Sequence, residues 1–117
     1  MGLFDWLFGK KVPQVTVQEA HDLLKSKTPP IILDVRQPEE TKAGTVSKAV
    51  LIPLPELDGR LEELPQERPI LVICRSGNRS QTAARKLANA GYDVQNVAGG
   101  MMAWESARLP VRVAKRR

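Results

Sequence analysis

The sequence of 117 residues is poor in the side chains that build metal sites and disulfides, because it contains one cysteine and one histidine. A single cysteine excludes an intramolecular disulfide and a cysteine-rich zinc site, and a single histidine argues against a histidine-based metal centre. We therefore expect no metal and no cofactor, and we expect a reducing, cytoplasmic compartment. Aromatic residues make up only 4% of the chain, so aliphatic side chains must fill the core.

The chain also lacks the long apolar stretch of about 20 residues that a membrane-spanning helix needs, and it lacks the pattern of a secretory signal. Residues 1–8 are nevertheless apolar and hold both Phe residues and Trp6. Gly2 resembles the start of a myristoylation signal, but Trp6 stands where that signal requires Ser or Thr. We expect residues 1–11 to dock on this or a partner protein, with peripheral membrane contact as the alternative.

The positive charge is spread along the chain rather than gathered into one stripe. The formal net charge is +5, but the basic residues are not interleaved with aromatics, so we expect no nucleic-acid binding. A chain of this length suits one domain. We place that domain at residues 14–111, between an apolar arm at residues 1–13 and a basic tail at residues 112–117.

Strand and helix patterns alternate through the predicted domain. Apolar runs rich in β-branched residues predict strands at residues 15–17, 31–35, 50–54, 69–74 and 94–97. Helical spacing of apolar residues predicts helices at residues 18–26, 38–43, 56–64, 80–90 and 101–107. The alternation indicates an α/β three-layer sandwich, in which helices cover both faces of a parallel sheet. We expect His21, on the first helix, to lie on the surface.

Cys74 stands where the strongest strand pattern ends and a helix begins near Ser80. Ligands of such sheets bind at the carboxyl ends of the strands. Backbone N–H groups of the intervening turn, together with the helix dipole, can stabilise a thiolate there. A buried structural cysteine is the alternative, but it leaves the surrounding residues unexplained. These are Arg75, Ser76, Gly77, Asn78, Arg79 and Ser80.

The segment 74–80, Cys-Arg-Ser-Gly-Asn-Arg-Ser, resembles the active-site loop of the rhodanese-like domains. The resemblance covers roughly residues 14–111 and includes Asp34-Val35-Arg36, the segment 98–104 and Leu109-Pro110-Val111. It implies a five-stranded parallel sheet flanked by helices. It also implies transfer of sulfane sulfur from a donor such as thiosulfate to a cysteine, and from there to cyanide or a thiol. For this chain, the resemblance implies that Cys74 is the cysteine that bears the persulfide.

We expect the Cys74 thiolate to attack a small anionic sulfur donor whose charge is offset by Arg75 or Arg79. The acceptor thiol must come from outside, because the chain has no second cysteine. We expect Asp34 and Arg36 to brace the loops at the edge of the sheet. The substrate-binding residues are expected to be Arg75, Ser76, Gly77, Asn78, Arg79 and Ser80.

The chain departs from the family pattern in two places, and two other functions stay open. The family often shows Gly-His-Ile-Pro-Gly-Ala where this chain has Gly-Thr-Val-Ser-Lys-Ala at residues 44–49, and Arg108 stands where glycine is frequent. Related phosphatases and arsenate reductases place five residues between cysteine and arginine, whereas four lie between Cys74 and Arg79. A non-catalytic docking domain or a sulfur relay between proteins is the second alternative.

Overall fold

A parallel sheet of five strands forms the centre of the molecule in the computed structural model, which describes residues 12–113. The predicted docking of residues 1–11, and the part of the basic tail at residues 114–117, lie outside the described residues. The strand order is β1-β5-β4-β2-β3. The strands are β1 (Gln14–Val15), β2 (Ile31–Asp34), β3 (Val50–Leu51), β4 (Ile70–Ile73) and β5 (Val94–Val97).

The two inner strands β2 and β4 determine where the polar residues of the sheet meet. Both are buried along their whole length, as their continuous apolar sequences predict. They pair in parallel from Ile31 with Ile70 to Asp34 with Ile73. The residues that follow these strands therefore emerge side by side at one edge of the sheet.

Helices cover both faces of the sheet, which confirms the three-layer sandwich. Ala83 and Leu87 lie in one buried cluster with residues of β2 and β4, whereas Ala20 and Trp104 lie in a second cluster on the opposite face. Strands with apolar side chains on both faces need such a layer on each side. The helices are α1 (Val17–Leu24), α2 (Pro38–Thr41), α3 (Asn78–Asn89) and α4 (Gly100–Ser106).

The region between β3 and β4 differs from its prediction. Instead of one α-helix at residues 56–64, it forms two 3-10 helices, Leu54–Gly59 and Leu61–Glu63. They are separate because Arg60 adopts φ −129° and ψ 20°, which is outside the helical range. The prediction for β3 is also too long, because Pro53 has no N–H group to continue a strand ladder.

His21, which was expected on the surface, is only partly exposed. Its ring is half-buried and meets Trp104 edge to face, with ring centroids 5.7 Å apart. The Trp104 ring is itself almost fully buried. His21 therefore helps to pack α1 against α4. None of the helices within residues 12–113 combines the length and the hydrophobicity that a membrane span requires.

Each of the two departures from the family pattern includes a residue with left-handed backbone. Lys48 has φ +67° and Arg108 has φ +58°, a range that favours glycine. Arg108 follows the last residues of α4, and the next amide, that of Leu109, bonds back to the carbonyl of Trp104 at 3.1 Å. The chain thus keeps the backbone shape that a glycine allows, at a cost of about 1–2 kcal/mol for each residue.

Candidate active site

Cys74 directly follows β4, at the edge of the sheet where the carboxyl ends of the strands meet. It is 1% exposed, so its thiol lies beneath the loop that follows it. The Gly77 amide donates a hydrogen bond to Cys74 Sγ at 3.1 Å, and the Ser80 hydroxyl oxygen lies 3.3 Å from the same sulfur. In the thiol form Cys74 donates to the Ser80 hydroxyl, and in the thiolate form that hydroxyl can donate to the sulfur instead, so the loop can stabilise a negative charge on Sγ.

These donors change the acidity of the thiol. Burial raises the pKa of Cys74, but hydrogen bonds from the Ser80 hydroxyl and from the amides of Ser80, Gly77 and Ser76 together lower it more. The net pKa lies below that of an ordinary cysteine. A lowered pKa favours the thiolate, which is a better nucleophile than a thiol, and no histidine is among the groups that lower it.

Gly77 is the residue that allows the loop to close on the sulfur. It caps the start of α3 with φ +105°, and a Cβ at this position would lie 3.4 Å from the Gly99 amide nitrogen. The side-chain amide of Asn96 donates to the Gly77 carbonyl oxygen at 3.4 Å. The Ser80 amide, in the first turn of α3, also hydrogen-bonds to the Cys74 sulfur. Helix α3 starts at Asn78, earlier than predicted.

The start of α4 holds the loop from the other side. The Met101 amide donates to the Cys74 carbonyl oxygen at 2.7 Å, and the Met102 amide donates to the Arg75 carbonyl oxygen at 2.9 Å. A Cβ on Gly100 would lie 2.6 Å from that Arg75 oxygen, so only glycine allows this approach. The helix predicted at residues 101–107 did not reveal this contact with the loop. The adjacent glycines were the available signal for a close backbone contact.

Arg79 does not point freely into the site. Its two terminal nitrogens donate to the two carboxylate oxygens of Glu40, on α2, at 2.7 and 2.8 Å. No local sequence pattern identifies Glu40 as the partner, because 39 residues separate it from Arg79. Arg75, in contrast, is exposed at the rim of the loop. The side chains of Ser76 and Asn78 are exposed as well.

Asp34 and Arg36 form a buried ion pair beside the loop. Arg36 donates to both Asp34 carboxylate oxygens at 2.9–3.1 Å, and its Nη2 also donates to the Gly44 carbonyl oxygen at 2.8 Å. The Thr45 hydroxyl donates to Asp34 Oδ2 at 2.7 Å. Thr45 stands where the family has histidine, and here its hydroxyl completes the network. The pair connects the end of β2 to the segment at residues 44–49.

The described residues offer no candidate for a metal centre. Among residues 12–113, no group of three or more His, Cys, Asp and Glu side chains is arranged to hold an ion. The chemistry that this site supports is nucleophilic attack by a stabilised thiolate on a small group that reaches the inside of the loop.

Comparisons with known proteins agree with this geometry. The model of the rhodanese-like domain family matches residues 16–107. A putative sulfurtransferase of Bacillus subtilis, YtwF, is 38% identical over 79 residues, which are 68% of this chain and 77% of that protein. A putative sulfur carrier protein of the same organism, YrkF, is 36% identical over 94 residues, which are 80% of this chain and 51% of that protein.

A comparison with solved structures also indicates a rhodanese-like fold. The crystal structure of a rhodanese-related protein from Thermoplasma volcanium superposes with a TM-score of 0.82 at 28% identity, covering 87% of this chain and 99% of that one. The family and its named relatives support sulfur transfer as the general activity. This chain, with its five-stranded parallel sheet and a stabilised cysteine at the end of β4, belongs to the rhodanese-like domain family.

Proposed function

We propose that the chain is a sulfurtransferase that carries a sulfane sulfur as a persulfide on Cys74. The observation that carries the proposal is the ring of donors around Sγ, formed by loop amides and the Ser80 hydroxyl. These donors stabilise the negative charge of the thiolate, and they can do the same for the charge of a persulfide. We take the exposed side chains of Arg75, Ser76 and Asn78 to be the rim that a donor meets.

In the loading step, the Cys74 thiolate attacks the outer sulfur of the donor. With thiosulfate, the new S–S bond forms as the bond from that sulfur to the sulfonate breaks, and the electron pair leaves with sulfite. With a protonated persulfide, R–S–SH, the leaving group is the thiolate R–S⁻ and the proton stays on the transferred sulfur. Arg75, at the rim, can attract an anionic donor to the loop.

In the unloading step, cyanide or an acceptor thiolate attacks the outer sulfur of the Cys74 persulfide. The product is thiocyanate or a new persulfide, and the electron pair of the broken bond returns to Cys74 as its thiolate. Because the chain has one cysteine, an acceptor thiol belongs to another molecule. The two half-reactions predict ping-pong kinetics. Since the cycle needs a reduced thiol, we place the activity in a reducing compartment such as the cytoplasm.

Intact-mass measurement tests the proposal most directly. The reduced protein, treated with thiosulfate or with a small persulfide, should gain about 32 Da, the mass of one sulfur, on Cys74. Cyanide should remove the added mass and release thiocyanate. Cys74→Ser should gain none. If the wild-type protein forms no adduct with either donor, the proposed function is wrong.

A pair of serine variants tests the role of the donors. Ser80→Ala removes a hydroxyl that lowers the pKa of Cys74, so loading at neutral pH should slow and its pH profile should move to higher pH. Ser76→Ala is the matched control, because Ser76 acts on the sulfur through its backbone amide, which the substitution keeps. Equal pH profiles for the two variants would contradict this role for the hydroxyl.

A sulfur relay between proteins is a second candidate. It is favoured by the exposed rim of the loop, which a partner protein can reach, and by the similarity to a protein named a putative sulfur carrier. In a relay, a persulfide on a partner protein loads Cys74 much faster than free thiosulfate does. Comparing the two loading rates by mass spectrometry distinguishes the relay from turnover of small donors.

A further inference from the structure

The ion pair between Glu40 and Arg79 links α2 to the first turn of α3 beside the cysteine loop. Both carboxylate oxygens of Glu40 are occupied by the two terminal nitrogens of Arg79, at 2.7 and 2.8 Å. Glu40 Oε1 also accepts a hydrogen bond from the Gln37 amide at 3.0 Å, in the capping box of α2. The carboxylate is thus held from two sides and does not depend on one flexible contact.

Glu40 stays ionised at every pH at which the protein is expected to work. The hydrogen bonds from Arg79 are the main reason that the pKa of Glu40 falls to about 2. The pair is half-buried, with side-chain exposures of 35% for Arg79 and 26% for Glu40, so water screens it only in part. The carboxylate of Glu40 therefore places a fixed negative charge beside Arg79, in the first turn of α3, where the loop that surrounds Cys74 ends.

The negative charge of Glu40 reduces the net positive charge around Cys74 Sγ. Of the three arginines near the loop, Arg36 is paired with Asp34 and Arg79 is paired with Glu40. Within residues 12–113, Arg75 is the one loop arginine with no acidic partner. The entrance thus presents one unbalanced positive charge, although the loop sequence contains two arginines. A dianion such as thiosulfate needs more positive charge than a monoanion does.

We propose that Glu40 determines the donor specificity of the site: it disfavours dianionic donors such as thiosulfate and favours persulfides that carry at most one negative charge at the reacting end. This inference rests on the proposed sulfur transfer through Cys74. The favoured loading step is the attack of the Cys74 thiolate on R–S–SH. The outer sulfur and its proton move to Cys74, and R–S⁻ leaves with the electron pair.

The variant Glu40→Gln tests the proposal, because it removes the charge and keeps a side chain of similar size that can still hydrogen-bond to Arg79. The measurement is the rate constant of Cys74 persulfide formation with thiosulfate and with cysteine persulfide, followed by intact mass. Coulomb energy scales with the charge at the reacting end of the donor, so we expect almost no gain for the uncharged reacting end of R–S–SH and a gain of roughly fivefold for the thiosulfate dianion. The ratio of the two rate constants should therefore shift about fivefold towards thiosulfate.

Two further variants separate charge from structure. Glu39→Gln removes the same charge from the neighbouring, exposed position of α2 and should leave the ratio unchanged. Glu40→Asp keeps the charge with a shorter side chain and should keep the wild-type ratio even if both rates change. The same ratio in wild type and Glu40→Gln, or a shift that Glu40→Asp reproduces, would overturn the proposal. Absence of any adduct in wild type would instead refute sulfur transfer itself.

Discussion

The contact between α4 and the cysteine loop depends on the absence of a side chain at Gly100, and Gly100→Ala tests it. This residue has φ +56°, and an added Cβ would lie 2.6 Å from the carbonyl oxygen of Arg75. The obstructing atom belongs to the backbone of the loop and cannot rotate away. The start of α4 would have to move off the loop, which would break the hydrogen bonds from Met101 and Met102.

The cost of this substitution can be worked from its parts. A non-glycine residue in left-handed backbone costs about 1–2 kcal/mol. Each of the two lost hydrogen bonds contributes about 0.5–1.5 kcal/mol. We therefore expect Gly100→Ala to lower the free energy of unfolding by about 2–5 kcal/mol, a large part of the roughly 5–15 kcal/mol that is typical of a domain.

Urea unfolding measures this loss, and Gly91→Ala is the matched control. Gly91 also has positive φ, at +97°, but a Cβ there meets no atom within 4 Å. The free energy of unfolding of Gly91→Ala should fall only by the cost of left-handed strain, about 1–2 kcal/mol. The folded fraction of Gly100→Ala should also load sulfur more slowly, because the carbonyls of Cys74 and its neighbour are no longer fixed. Equal stability of the two variants would refute the close contact.

Three further predictions concern stability and pH. Asp34→Asn should lower the free energy of unfolding in urea by about 3–5 kcal/mol, because it leaves the buried Arg36 guanidinium without its counter-charge. Arg108→Gly should raise that free energy by about 0.5–1 kcal/mol, since relief of left-handed strain exceeds the entropy cost of glycine. The stability advantage of wild type over Glu40→Gln should be complete above pH 4.5 and disappear as the pH falls through about 2, because folding lowers the pKa of Glu40 from 4.5 to about 2.

Each of these has a clear contrary outcome. If Asp34→Asn lowered the free energy of unfolding by less than about 1 kcal/mol, the ion pair between Asp34 and Arg36 would contribute little to stability. As a control, Arg85→Gly in the exposed middle of α3 should lower the free energy of unfolding by about 1 kcal/mol. The same decrease for Arg108→Gly would contradict the positive φ of Arg108. A constant difference between wild type and Glu40→Gln from pH 6 to pH 2 would show that the carboxylate does not titrate with folding.

Local patterns predicted most of the fold because they report on burial. The continuous apolar runs before Asp34 and Cys74 can only be satisfied in a sheet covered on both faces, and the structure confirms both strands. The prediction failed at residues 56–64, where the leucine spacing fits a helix but the backbone at Arg60 is not helical. Apolar spacing shows which residues face the core, but it does not distinguish one helix from two short 3-10 turns.

The sequence alone identified Cys74 as the candidate nucleophile and predicted its setting, because Cys74, Gly77 and Ser80 lie within one short segment whose strand and helix signals are local. Only the tertiary structure decided the charge of the site. Glu40 is 39 residues from Arg79, and it reaches that side chain because the parallel sheet brings the ends of β2 and β4 together. The same folding places Gly100 against the loop. Such partners are determined by topology rather than by spacing along the chain, so the sequence offered Arg75 or Arg79 for the donor's charge, whereas the folded chain pairs Arg79 with Glu40.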